Sequence, residues 1–306
     1  MLHRRRSSSR GLSAIAALLS APLLSTSTIH PDIRPLTLYE RIGRAPVVVV
    51  GAITDGENRL ASVTTLNLIK CTIPERPSGT FRIAFRLDSF LRRPWEDKIE
   101  FRTGEQALLF LRKFTKEDGE TPEGDLYTLM WGAQGKETLP EEGRQAMVEA
   151  ATELAAVLAL TDLDEQGRRL KEAVTHPNPI VSDAALTEVL KQGLADQTMI
   201  GVLTRLFDTA RENTRILSMR ALTQVIADER VAGRELPDTV DLADRIRGRA
   251  ATDESPGMRV ESVRALAALG GEDVRQFLVR LAREDPSQLV RYEATKAVTG
   301  WPDGAR

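Results

Sequence analysis

Apolar positions change rhythm about halfway along the chain, from a strand-like period to a helical one. Phe81, Ile83, Phe85 and Leu87 alternate with Arg82, Ala84 and Arg86, the period-two pattern of a strand with one buried face. Val47 to Val50 is an unbroken β-branched run ending at Gly51, which predicts a strand covered on both faces. Further strands are predicted around Val63, Leu66 and Leu68, at Ile99 and Phe101, from Ala107 to Leu111, and from Tyr127 to Trp131. Leu36, Leu38, Tyr39 and Ile42 predict a short helical turn before the first strand, and residues 116–125 a polar turn before the last. Six short strands within roughly a hundred residues predict a small closed barrel of OB-like type, with a small sandwich as the alternative.

From Pro140 the period becomes helical. Met147, Ala150, Ala151, Leu154, Val157 and Leu158 form one apolar stripe, and Pro140 with Glu141 and Glu142 suits a helix start. Beyond it, four stretches superpose: Val181 to Val189, Thr214 to Leu222, Met258 to Leu266 and Val290 to Val298. A small residue holds their fifth position (Ala185, Ser218, Ser262, Ala294), and three carry Ala at the eighth (Ala221, Ala265, Ala297). The same three carry Arg at the second: Arg215, Arg259 and Arg291. The stretches begin 33, 44 and 32 residues apart (181 to 214, 214 to 258, 258 to 290), a period that predicts a solenoid of helix pairs. The longer spacing predicts an inserted loop at residues 227–238. The first stretch diverges, with Ser182 in place of Arg and Glu188 in place of Ala.

The predicted fold class is therefore α+β and multidomain. An OB-like barrel over 36–139 is followed by a capping helix over 140–161 and an α-helical solenoid over 162–301.

Two resemblances bear on these regions. Asp285–Pro286 followed by Val290, Arg291, Ala294 and Ala297, and Asp253 followed by Met258, Arg259, Ser262 and Ala265, resemble HEAT repeats, particularly the bilin-lyase-like subgroup. The resemblance implies a scaffold and carries no catalytic residues, so bilin attachment does not follow from it. The order VVVVGAI, a Thr-rich strand, GEQALLFL and YTLMWGAQGK resembles a β-barrel domain of bacterial secreted proteins. That barrel is also similar to the netrin-like inhibitor barrel. The inhibitor's chemistry needs an N-terminal cysteine that this chain lacks, so metalloprotease inhibition does not carry over.

Composition narrows the functional classes. The 306 residues have a formal net charge of −2, are 28% charged and only 5% aromatic, which fits a helical repeat protein and argues against a general nucleic-acid binder. Arg4, Arg5, Arg6 and Arg10 precede an apolar run from Gly11 to Leu24, with small residues to Ser27. This predicts a signal peptide over 1–27 and a secreted, periplasmic or cell-envelope location, an organelle-targeting peptide being the alternative. No later stretch is apolar enough to predict a transmembrane helix. Cys71 is the only cysteine and reads as a structural thiol.

Enzyme constellations are missing from the sequence. His30 and His176 stand apart from each other and from Cys71, no phosphate loop or dinucleotide fingerprint is present, and no G-x-S-x-G elbow occurs. Asp162 and Asp164 read as solvated surface. The expected function is a non-catalytic, cofactor-free scaffold that binds a protein partner through the repeats. Arg215, Arg259 and Arg291 are the candidate partner-binding residues; the other role open to them is to bind turn acids such as Asp253 or Asp285. The alternative function is glycan or polyanion binding through the barrel, using Arg82, Arg86, Arg92 and Arg93. Trp95 and Trp131 are expected to pack in the core or at the rim of the barrel, and Trp301 to cover the end of the solenoid core.

Overall fold

Val47, Val48, Val49 and Val50 are all buried because their strand lies between two cores. In this computed structural model, which describes residues 35–56, 60–84, 99–115, 126–209, 211–236 and 239–301, β1 (Val47–Asp55) is flanked on both edges. One neighbour is β2 (Leu60–Cys71) and the other β4 (Gln106–Lys113), both antiparallel to it. β3 (Thr80–Ala84) pairs antiparallel with β2 and parallel with β5 (Leu126–Leu129), which pairs with β4. The ring β1-β2-β3-β5-β4-β1 closes a five-stranded barrel of OB-like type. Breaks in register at Val48/Val49 and Val50/Gly51 bend β1 against β2, as closure requires.

Val47, Val49 and Ile53 point into the barrel with Phe81, Leu109, Leu111 and Tyr127; Phe81 and Tyr127 meet edge to face at 5.3 Å. Val48, Val50, Leu108 and Phe110 point outward and share a second core with the helices. The unbroken apolar runs of β1 and β4 thus follow from burial on both faces.

The sixth strand is not where the sequence places it. Ile99 and Phe101 pair with no strand among the described residues, although Phe101 is buried in the barrel core. Instead β6 (Lys136–Thr138) continues along β4 beyond β5. Trp131, in the left-handed region at φ 56°, and a 3-10 turn at Gly132–Gly135 separate β5 from β6. A Cβ on Gly135 would lie 2.2 Å from the Met130 carbonyl oxygen, so only glycine fits that crossing. Phe85, Leu87 and residues 116–125 lie outside the described residues, as does the whole segment 1–27 assigned to a signal peptide, with His30.

α1 (Leu38–Arg44) begins in a capping box of Thr37 and Glu40. Its last carbonyls, of Ile42 and Gly43, accept from Lys70 Nζ on β2 at 2.7 and 2.9 Å. α2 (Arg144–Leu158) starts after a turn at residues 141–143, one turn later than Pro140 predicts, and buries Ala150, Ala151, Leu154 and Val157. The remaining described helices form pairs: α3 (Leu163–Ala173) with α4 (Pro179–Lys191), α5 (Ile200–Thr209) with α6 (Glu212–Val231), α7 (Thr239–Thr252) with α8 (Pro256–Leu269), and α9 (Glu272–Glu284) with α10 (Gln288–Thr299). Second helices stack in the order α4, α6, α8, α10. Ala185, Ser218, Ser262 and Ala294 are fully buried, and their small side chains let these helices approach closely. Asp162, assigned to solvated surface, caps α3 by accepting from the amides of Asp164 and Glu165.

The 44-residue spacing does not produce a loop over all of 227–238. α6 runs on through Ala227 to Val231, making it 20 residues long. It ends in a Schellman motif: Gly233, at φ 65°, donates to the Arg230 carbonyl and Arg234 to that of Glu229. The Arg234 side chain then folds back onto Glu229 with contacts of 2.6 and 2.8 Å. Pro237 and Asp238 lie outside the described residues.

Candidate protein-interaction surface

Two ladders of charged residues join the stacked pairs. The first runs through the turns. Arg259 Nε and Nη2 donate to the two carboxylate oxygens of Asp285 at 3.0 and 3.1 Å, and Nη1 donates to the Asp253 carbonyl at 2.8 Å. Arg259 is 7% exposed and Asp285 5%, so the pair is shielded from water. One step earlier, Arg215 Nη2 meets Asp253 Oδ1 at 3.1 Å. Each aspartate also orders its own turn: Asp253 Oδ1 accepts from the Ser255 amide at 3.0 Å and Asp285 Oδ1 from the Ser287 amide at 2.7 Å. Ser255 further donates to Glu212 at the start of α6, at 2.5 Å.

The second ladder was not visible as a repeat of all four stretches. Arg220 and Arg264 hold the seventh position of two stretches, and Glu261 and Glu293 the fourth of the following ones. Arg220 meets Glu261 at 2.8 Å, and Arg264 meets Glu293 at 3.0 Å and Glu261 at 3.0 Å. Hydrogen bonding to Arg264 holds the Glu293 carboxyl below its ordinary pKa, and Glu293 in turn raises that of Arg264. The sequence signal was an acid eight residues after each turn aspartate, Asp253 to Glu261 and Asp285 to Glu293.

The candidate arginines therefore divide. Arg215 and Arg259 reach the acid of the following turn. Arg291 stands on the last described helix and donates to carbonyls of its own turn, those of Asp285 at 2.6 Å and Pro286 at 3.2 Å. The three do not converge on a common ligand position.

The divergent first pair is joined differently. Ser182, in place of Arg, donates to the Val174 carbonyl at 2.6 Å. Asp183 beside it accepts from Asn213 at 2.9 Å and from Thr214, so the acid sits on the preceding helix and the donors on the following one. His176 occupies the place of the turn aspartates, its Nδ1 accepting from the Asn178 amide at 3.0 Å. Asn178 donates to the Ala146 carbonyl of α2 at 2.6 Å. Glu188, in place of Ala, accepts from Thr37 at 3.2 Å and pairs with Lys191 at 2.9 Å. This end of the stack is covered by α1 and α2.

At the other end a groove of about 310 Å³ crosses the second helices. Val263, Ala267, Ala297 and Trp301 supply its apolar lining, and its rim carries Arg230 and Lys296 beside the Arg264–Glu293 pair. Arg230, on the extension of α6, is held by the Ala268 carbonyl at 3.0 Å. Trp301 packs half-buried against the end of the helical core.

The barrel gathers less. Of its four candidate arginines only Arg82, half-buried on β3, is described; Arg86, Arg92 and Arg93 lie outside the described residues, as does Trp95. Trp131 packs against the helical core rather than within the barrel. A polar pocket on the barrel is lined by Lys136 and Glu105, which pair with each other at 2.8 Å. Burial pushes the Glu105 carboxyl up, but hydrogen bonds from Lys136, Thr138 and the Arg102 amide outweigh it and hold it below its ordinary value. Cys71 is half-buried, its Sγ donating to the Ile73 carbonyl at 3.4 Å. Among the described residues no helix is long and apolar enough to cross a membrane, and no three His, Cys, Asp or Glu side chains are grouped to hold a metal ion.

Comparison with known proteins gives one match. No curated protein and no solved structure matches the chain. The family model described as HEAT repeats matches residues 230–299, which carry the end of α6 and the last two helix pairs, and HEAT repeats are commonly protein-interaction scaffolds.

Proposed function

We propose that this protein is a non-catalytic, secreted or cell-envelope scaffold that holds a partner protein on its stacked second helices. The observation that carries the reading is the groove across α6, α8 and α10, where Arg230 and Lys296 stand with the Arg264–Glu293 pair over an apolar floor. Such a groove suits a segment with an apolar side chain flanked by acids. The bilin-lyase-like motif and the likeness to a barrel of bacterial secreted proteins support the scaffold and envelope readings without supplying a reaction.

Two measurements test it. N-terminal sequencing of the full chain expressed in a secreting host is expected to begin after Ser27; an intact Met1 would contradict the location. Affinity capture from the native envelope is expected to enrich a defined partner that Ala267→Arg, which fills the groove, no longer retains at unchanged melting temperature. Equal capture by the variant, or background proteins only, would sink the binding reading.

A further inference from the structure

We propose that the outward face of α10 docks a helical pair of a partner protein whose inter-helix turn carries an aspartate and whose second helix carries a glutamate eight residues later. The inference rests on the scaffold reading only for the existence of a partner; the chemistry of the face comes from the repeats themselves. At each of the last two joints the preceding second helix offers the same set. Arg215 meets the turn acid Asp253 and Arg220 meets Glu261; Arg259 meets Asp285 and Arg264 meets Glu293. In both cases the receiving acids are eight residues apart.

α10 repeats that set, and among the described residues no helix packs against its outward face. Arg291 and Lys296 hold the second and seventh positions, and Lys296 is 67% exposed, its nearest acid Glu293 lying 3.9 Å away on its own helix. Tyr292 holds the third position. Its counterpart Ile216 on α6 approaches Gly257 at the start of α8, so this position faces the next pair. Tyr292 is 68% exposed, as is Leu289 one turn before it. Two cations and two large apolar side chains thus stand at the register where interior pairs receive acids and a close helix. A second copy of this chain does not supply that surface head to tail, because its opposite end is covered by α1 and α2 through Glu188 and Asn178.

The test uses the full chain with a second copy of residues 271–299 inserted after Gly300. The junction, two glycines between Thr299 and Glu272, reproduces the Gly270–Gly271 link between α8 and α9. Amide exchange of residues 288–299 in the native α10 is expected to slow by about tenfold or more on extension. Asp285→Asn with Glu293→Gln, made in the added copy alone, is expected to return it toward the unextended rate. Unchanged exchange, or slowing that survives the neutralised copy, overturns the proposal. So does a concentration-dependent dimer of the unextended chain that protects α10, which would make a second copy the occupant. Docking of the added pair without any captured envelope partner would leave this face intact and sink the scaffold reading instead.

Discussion

Thr37 donates its hydroxyl to Glu188 at 3.2 Å while the same oxygen accepts from the Glu40 amide, so one side chain both caps α1 and fastens it to the first helix pair. Lys191 completes the contact by reaching Glu188 at 2.9 Å and Glu40 at 3.2 Å. Burial, with the nearby charge of Glu188, raises the pKa of Tyr39 in the same junction. The barrel-side helix and the solenoid share this polar seam as well as a continuous apolar core.

Glu188→Ala restores the residue that the other stretches carry, and a consensus argument expects it to stabilise. The structure predicts the reverse. Thr37 and Lys191 lose a buried charged partner, at a cost of about 1.5–3 kcal/mol. Urea unfolding measures the loss, and faster amide exchange in Leu38–Arg44 locates it; an unchanged midpoint would contradict the seam.

Gly135→Ala forces a Cβ against the Met130 backbone and is expected to destabilise by about 1–3 kcal/mol. Gly248→Ala, inside α7 with open space around it, is expected to stabilise by up to about 1 kcal/mol. Thermal unfolding of the two variants should shift in opposite directions.

Acid sensitivity follows from the carboxylates. Arg264 lowers the pKa of Glu293, Arg234 that of Glu229, and Lys171 that of Asp196 against the opposing effect of burial. A carboxylate with a folded pKa below its unfolded one contributes fully above the unfolded value, near 4.3 for Glu, and loses that contribution as pH falls through the folded one. Stability is therefore expected to decline from about pH 5 downward. Glu293→Gln should flatten that decline by about 0.5 kcal/mol, since its pair is partly exposed, and urea midpoints from pH 7 to 3 give the comparison.

Much of this fold was legible because its signals are local or periodic. Small residues at a fixed helical position mark the second helices, and apolar runs in β1 and β4 announce burial on both faces. β6 was not legible: Lys136, Glu137 and Thr138 carry no apolar alternation, and their placement depends on a glycine crossing the Met130 backbone. The α6 extension was hidden because a change of repeat spacing does not say whether the added residues leave the helix or lengthen it. Glu188 looked like a defect in the pattern because Thr37 lies 151 residues away. The Arg220–Glu261 and Arg264–Glu293 contacts escaped notice because only the later pairs carry them, whereas the turn acids stood beside visible arginines.

Arg215–Asp253 and Arg259–Asp285 lock the last three described helix pairs to one another, each through an arginine and the following turn's aspartate. A double-mutant cycle on Arg259→Ala and Asp285→Ala tests this lock, with Arg291→Ala, on the last described helix, as the reference. Each single change at the buried pair is expected to cost about 3 kcal/mol with a coupling of about 2 kcal/mol, while Arg291→Ala costs less than about 1 kcal/mol. Equal effects at Arg259 and Arg291, or a coupling near zero, would contradict it.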